Sequence, residues 1–142
     1  MQRGARNRSR RIFHKIEMTL VLPWPPSVNK LYSQGGHGGR HGRRLHPAHV
    51  AYRERVIGRV IERLGKLPPD PLWDKRATLR LSIRFYPPDR RKRDTSNLLK
   101  AIEDALQAAR VVEDDVAFFS HRLDRVAIDR PHGRIEVTIE PR

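Results

Sequence analysis

Residues 78–86 alternate apolar and polar side chains and read TLRLSIRFY. The apolar members would all point the same way from an extended chain, and they are Leu79, Leu81, Ile83 and Phe85. A period of two predicts a β-strand with one face in the core and the other face polar. Any fold open to this chain must therefore cover one face of a sheet with apolar groups and leave the opposite face polar.

Two further segments have apolar residues at helical spacing. The first predicted helix spans residues 48–64 and is stopped by Gly65. Its apolar positions are Val50, Ile57, Val60, Ile61 and Leu64. The second spans residues 97–109. Its apolar face consists of Leu98, Ile102, Ala105, Leu106 and Ala109.

Three more strands complete the predicted fold. Residues 19–22 form a short apolar run that ends at Pro23, and residues 118–128 and 134–140 provide the other two. The length of 142 residues fits one domain. We therefore predict a single α+β domain, a mixed β-sheet with two main helices packed on it, in the order β-α-β-α-β-β.

The charge of the chain predicts a polyanionic partner. Thirty Lys and Arg residues against sixteen Asp and Glu give a net charge of +14. Basic side chains bind nucleic acids by neutralising phosphates and releasing counterions. Ribosomal, nucleoid and nuclease proteins all have this composition, so the charge indicates the class of partner and no activity.

The chain has no cysteine, which excludes a disulfide framework and a thiolate zinc site. A cytosolic location is expected, and residues 1–17 contain no apolar stretch long enough for a signal peptide or a membrane span. These residues hold six Lys or Arg and one Glu. We predict that they form a disordered basic arm, or an upstream extension of the gene model, before a domain at 18–142.

Two clusters of basic residues are candidates for contacts with DNA. Residues 33–44, SQGGHGGRHGRR, contain five glycines and predict a flexible loop that carries Arg40, Arg43 and Arg44. Its histidines lack a third fixed ligand, so flexibility is favoured over a metal site. The second cluster consists of Arg90, Arg91, Lys92 and Arg93.

Acidic residues follow the second cluster directly. Asp94 precedes the second helix, and Asp114 and Asp115 follow it. The polar face of that helix consists of Asn97, Lys100, Glu103, Asp104 and Gln107. Carboxylates that hold Mg²⁺, beside a cation that stabilises charge on phosphorus, suit phosphodiester hydrolysis. Without such a role, Asp94 is a helix cap, Lys100 and Asp104 are an i, i+4 pair, and the two later aspartates form a solvated turn.

Three motifs in this order resemble the RusA family of Holliday-junction resolvases, which are small, phage-associated endonucleases. The motifs are LPWPPSVNKLY, YPPDRRKRDTSNLLKAIEDAL and VVEDDV. The resemblance extends from about Thr19 to the final strand. It implies a homodimeric nuclease, cytoplasmic and encoded by a bacterium or phage, that uses Mg²⁺, with Mn²⁺ as an alternative, and resolves four-way DNA junctions by paired nicks.

The resemblance also implies roles for individual residues. The implied catalytic residues are Asp94, Lys100, Asp104 and Asp115, of which the three aspartates are the implied metal ligands. Beside these four, we predict supporting roles for Asn29, Ser96, Asn97 and Asp114.

One position departs from the family pattern. The family reads DxDN where this chain reads DTSN, so Ser96 replaces an aspartate. A hydroxyl is a weaker Mg²⁺ ligand than a carboxylate. Two functions therefore stay open: a working junction endonuclease, and a catalytically impaired module that binds junctions or DNA. An RNA-binding protein of ribosomal type would explain the charge but not the acidic residues.

Overall fold

The computed structural model describes residues 16–27, 32–34 and 43–142. The helices are α1 (Pro47–Leu64) and α2 (Ser96–Ala108). The strands are β1 (Met18–Pro23), β2 (Tyr32–Gln34), β3 (Arg43–Leu45), β4 (Leu79–Tyr86), β5 (Phe118–Arg125) and β6 (Arg134–Pro141). A 3₁₀ turn, Asp115–Ala117, precedes β5. Asn29 and Arg40 lie outside the described residues.

Four strands form one mixed sheet in the order β1-β6-β4-β5. The strand β6 runs antiparallel to both β1 and β4, whereas β5 runs parallel to β4 and forms an edge of the sheet. With the two helices, this confirms the predicted α+β domain and the order of its main elements. No helix in the part of the chain that the structure describes is long and apolar enough to cross a bilayer.

The alternation in β4 is confirmed. Leu79, Leu81, Ile83 and Phe85 are buried, and the residues between them are not. The open face carries ion pairs between directly opposed residues of β4 and β6: Arg84 lies 3.6 Å from Glu136, and Arg80 lies 3.9 Å from Glu140. Because these cations already face carboxylates, the open face of the sheet is a weak candidate for binding DNA.

The helix α2 packs as its periodicity predicts. Leu98, Ile102, Ala105 and Leu106 are buried, and so is Ala109 just beyond the helix. Burial of this stripe against the sheet leaves the polar face of α2 directed away from the core.

The predicted apolar face of α1 is wrong in part. Val50 and Ile61 are 42% and 39% exposed, whereas His49 and Tyr52 are buried. Both buried side chains have polar partners at the end of β1 or just after it. The Tyr52 hydroxyl donates to the Pro23 carbonyl at 2.9 Å, and the His49 ring hydrogen-bonds with the Ser27 carbonyl at 3.0 Å. These tertiary bonds allow polar rings into the core. Gly65 stops the helix after Leu64, as predicted, with a φ of 84°.

The predicted loop at 33–44 contains regular structure at both ends. The strands β2 and β3 pair antiparallel, with Tyr32 opposite Leu45. Arg43 and Arg44 therefore belong to a strand and not to a flexible loop, which corrects the prediction for those positions. Residues 35–42 lie outside the described part of the chain.

Candidate active site

Asp104 lies on the polar face of α2 between two cations. Its Oδ2 atom is 3.4 Å from Nζ of Lys100 on the same helix and 3.4 Å from Nη2 of Arg53 on α1. The first contact is the i, i+4 pair that helical spacing allows. Arg53 was not predicted, because it comes from another helix. The side chain of Asp104 is only 17% exposed, so both cations offset the cost of placing its charge there.

Asp115 begins the 3₁₀ turn after α2 and lies near the same charges. Its pKa is raised, mainly by a hydrogen bond with the Asp114 carboxyl and then by burial. The charge of Lys100 lowers this pKa, and the charge of Asp104 raises it further. Lys100, Asp104 and Asp115, three of the four candidate catalytic residues, are therefore within electrostatic reach of one another.

Asp114 has a role in the backbone. Its Oδ1 atom accepts a hydrogen bond from the Val116 N–H at 3.1 Å and caps the 3₁₀ turn. This bond is the main cause of the lowered pKa of Asp114. The alternative prediction, that Asp114 and Asp115 only form a turn, therefore holds for Asp114. Asp115 instead interacts with the charges on α2.

Glu103 and His121 lie beside this group and were assigned no role from the sequence. The His121 Nε2 atom is 2.7 Å from Oε1 of Glu103, whose side chain is 13% exposed. Burial raises the pKa of Glu103, and the nearby Asp115 carboxyl raises it further, while His121 opposes the shift. Glu103 could have been suspected from its position on the polar face of α2. His121 carries no comparable pattern in the sequence.

Asp94 lies at the start of α2 and bonds with Ser96. Its Oδ1 atom accepts hydrogen bonds from the Ser96 backbone N–H at 3.0 Å and from the Ser96 hydroxyl at 2.6 Å. These two bonds lower the pKa of Asp94. The Asp94 carbonyl also accepts from the backbone N–H of Asn97 at 3.1 Å. Asp94 therefore satisfies N–H groups at the helix start, as a cap does.

The acidic residues have the donor chemistry for Mg²⁺ but are not gathered as ligands. Among the residues that the structure describes, no three His, Asp or Glu side chains are arranged to hold a cation. Carboxylate oxygens are nevertheless the ligands that Mg²⁺ prefers. The carboxyl groups of Asp104 and Asp114 raise the pKa of Asp115, and a bound cation would relieve this repulsion. The residues present thus fit such an ion chemically.

Four basic residues, 90–93, precede Asp94; the side chain of one is packed and those of the other three are exposed. The Arg93 guanidinium lies 2.8 Å from Oδ1 of Asp89 and 5.5 Å above the centre of the Trp24 ring. Its hydrogen bond is the largest of several interactions, with Arg93 and Arg91, that together lower the pKa of Asp89 to about 2. The other three basic side chains are exposed, and that of Arg91 is 83% exposed. Arg90, Arg91 and Lys92 can therefore contact a ligand without breaking the fold.

Similar proteins match nearly the whole chain. The family model described as Endodeoxyribonuclease RusA matches residues 23–140, which contain every candidate site residue. The chain is 34% identical to crossover junction endodeoxyribonuclease RusA of Escherichia coli strain K12, over 85% of this chain and 92% of that protein. It is 35% identical to crossover junction endodeoxyribonuclease rusA of Enterobacteria phage 82, over 84% of this chain and 91% of that protein.

Proposed function

Because the chain belongs to the RusA endodeoxyribonuclease family, we propose that it resolves four-way (Holliday) DNA junctions by hydrolysing phosphodiester bonds. The observation that carries this proposal is that Asp115, in the turn after α2, lies within electrostatic reach of Lys100 and Asp104 on that helix, and all three fall inside the range that the family model matches. The net charge of +14 suits a substrate in which four duplex arms bring phosphates together.

In this proposal Asp94, Asp104 and Asp115 would hold Mg²⁺, or Mn²⁺ in its place. The bound cation would supply Lewis-acid stabilisation of the negative charge on the phosphate. Lys100 is half exposed and can turn from Asp104 towards the substrate, where its ammonium group offsets charge on the phosphate. Arg53 bonds the same carboxylate oxygen and keeps Asp104 in place when Lys100 leaves it.

A second candidate is a module that binds junctions but has lost cleavage. It is favoured by Ser96, which stands where the family has an acid and whose hydroxyl bonds Asp94. With Ser96 in this position, the start of α2 offers one carboxylate where the family pattern has two.

Cleavage of a synthetic junction separates the two functions. The full chain is incubated with a four-way junction plus Mg²⁺ or Mn²⁺, beside a linear duplex of the same sequence. Nicks placed symmetrically in the junction and not in the duplex support the proposed resolvase. Tight binding of the junction without nicks at any concentration of metal supports the binding module.

We expect the protein to be a two-fold dimer before it meets DNA. Resolution needs two nicks related by symmetry, and each chain has one group of candidate catalytic residues, while two-fold dimers are the commonest oligomers. Light scattering at micromolar protein should give twice the mass of one chain. A monomer at that concentration would contradict the prediction, and a matched measurement with junction present would reveal whether DNA brings the two chains together.

Deletion of residues 1–17 should weaken DNA binding without changing which structures are cut. The segment carries six basic residues and one acid, and contacts with phosphates add affinity without reading shape. The slope of log affinity against log salt concentration should become shallower by up to about five, since each phosphate contact contributes about 0.9. A full-length variant with the six basic residues changed to glutamine is the matched control. A truncated protein that no longer distinguishes junction from duplex would contradict the prediction.

A further inference from the structure

A groove lies beyond the ends of the parallel strands β4 and β5. Because the two strands run in the same direction, with Phe85 opposite Arg125, both end at the same edge of the sheet. The groove has a volume of about 310 Å³. Residues 89–91 line it on the β4 side, and residues 125–128 line it on the β5 side.

Backbone hydrogen bonds hold the two sides of the groove together. The Val126 N–H donates to the Phe85 carbonyl at 2.9 Å, and the Asp129 N–H donates to the Pro87 carbonyl at 2.8 Å. These bonds join the segment after β5 to the end of β4 and the segment after it. The groove is therefore formed before any ligand arrives.

Three guanidinium groups and one carboxylate line the groove. The carboxylate, Asp89, pairs with Arg93 at 2.8 Å and with Arg91 at 3.9 Å, so its charge is already offset. The Arg125 guanidinium donates to the Arg93 backbone carbonyl, which carries no charge. Among the residues that the structure describes, neither Arg90 nor Arg125 pairs with a carboxylate. The groove is therefore positively charged and suits a phosphate group.

The side of the groove after β5 is apolar as well as exposed. Val126 is 42% exposed and Ile128 is 41% exposed. A phosphate gains nothing from such a surface, whereas the apolar face of a nucleobase does. A DNA duplex, whose major groove alone is about 12 Å wide, cannot enter a space of about 310 Å³. A single nucleotide that has left the base stack can enter it.

We propose that this groove binds one unpaired nucleotide of a DNA strand, with Arg90 and Arg125 on its phosphate and Val126 and Ile128 against its base. The inference rests on the proposed function only in taking DNA as the ligand, and it involves none of the candidate metal ligands. Apolar contacts with the face of a base do not read its edges, so the groove accepts any of the four bases.

The first test measures the affinity of the full chain, without metal, for a thymidine oligonucleotide and for a duplex of the same length. Changing Val126→Ser and Ile128→Ser together removes the apolar side and leaves every charge in place. Affinity for the single strand should fall about fivefold, the lower end of the range for stacking of one base on a protein side chain. Affinity for the duplex should not change. Val21→Ser is the matched control, since Val21 is 53% exposed on β1, and it should change neither affinity.

The second test concerns the phosphate. Arg125→Gln should make the slope of log affinity for the single strand against log salt concentration shallower by about 0.7, the contribution of one phosphate contact. Arg122→Gln is the matched control. Arg122 lies on the same strand and pairs with Asp124 at 2.9 Å, so its loss should leave the slope unchanged.

An equal loss of affinity for both forms of DNA in the double serine variant would overturn the proposal, and so would an unchanged salt slope in Arg125→Gln. Thermal unfolding shows whether each variant is folded, and Arg125→Gln still tests the groove if the double variant is not. Junction cleavage is measured separately. If the unaltered protein cuts junctions but the variants bind single strands as it does, the inference alone fails. Loss of single-strand affinity in the variants supports the inference even if no junction is cut, which would count against the proposed function alone.

Discussion

Asp94→Asn abolishes cleavage of a four-way junction while the protein stays folded and binds the junction at least as tightly. The Oδ1 atom of asparagine still accepts both hydrogen bonds from Ser96, and asparagine caps helices as well as aspartate does. The substitution therefore removes the charge and leaves the turn. We expect the rate of cleavage at saturating Mg²⁺ to fall at least about a hundredfold. Loss of a residue that only hydrogen-bonds a metal ligand can already cost about this much, and loss of the ligand itself should cost no less. Single-turnover cleavage and a mobility-shift titration measure the two quantities.

Asp115→Asn should behave in the same way, since it also removes a candidate ligand and a charge that repels phosphate. Asp124→Asn is the matched control. Asp124 lies on β5, the strand that follows the turn of Asp115, where it is opposite Arg84 on the open face and pairs with Arg122 at 2.9 Å. If Asp94→Asn keeps full activity, Asp94 acts only as a helix cap and has no catalytic role. Loss of junction binding together with cleavage would show that the aspartate supports the fold.

Ser96→Asp should lower the Mg²⁺ concentration needed for half-maximal cleavage, by about tenfold, because an added carboxylate gives the cation a charged ligand. The same variant should be less stable than the unaltered protein without metal. It replaces the hydroxyl that donates to Asp94 with a second negative charge. Added Mg²⁺ should then raise its unfolding temperature more than that of the unaltered protein. Thermal unfolding with and without Mg²⁺ tests this independently of cleavage.

Thr95→Asp is the matched control for charge. Thr95 is the N-cap of α2 and its side chain makes no capping hydrogen bond, so the substitution adds the same charge one residue away. If both variants gain Mg²⁺ affinity equally, the gain comes from charge near the site and not from a ligand at position 96. Should the unaltered protein be inert while Ser96→Asp cuts junctions, the binding module is the correct function. Loss of activity in Ser96→Asp would mean that the serine itself is needed.

Local periodicity was sufficient for the elements that have one clear apolar face. The alternation in β4 and the stripe from Leu98 to Leu106 on α2 were both predicted correctly, because burial of one face repeats at the period of the element itself. Helix α1 was harder, since apolar residues occur on several of its sides. Its orientation depends on Tyr52 and His49, which bond carbonyl groups at the end of β1 and just after it.

By itself, the sequence determined the α+β class, the bounds of the helices to within one or two residues and the candidate acids on and beside α2, because each follows from the spacing of residues within one element. Tertiary structure alone decided which side chains from other elements meet Asp104 and Glu103. Arg53 comes from α1, and His121 comes from β5. Such contacts depend on the order of strands in the sheet and on how the helices pack. Neither of these can be inferred from the periodicity of a single element. The folded structure also decided the partner of Asp94. The spacing of the acids allowed Asp94 to join a cluster with the other aspartates, whereas in the structure it bonds Ser96.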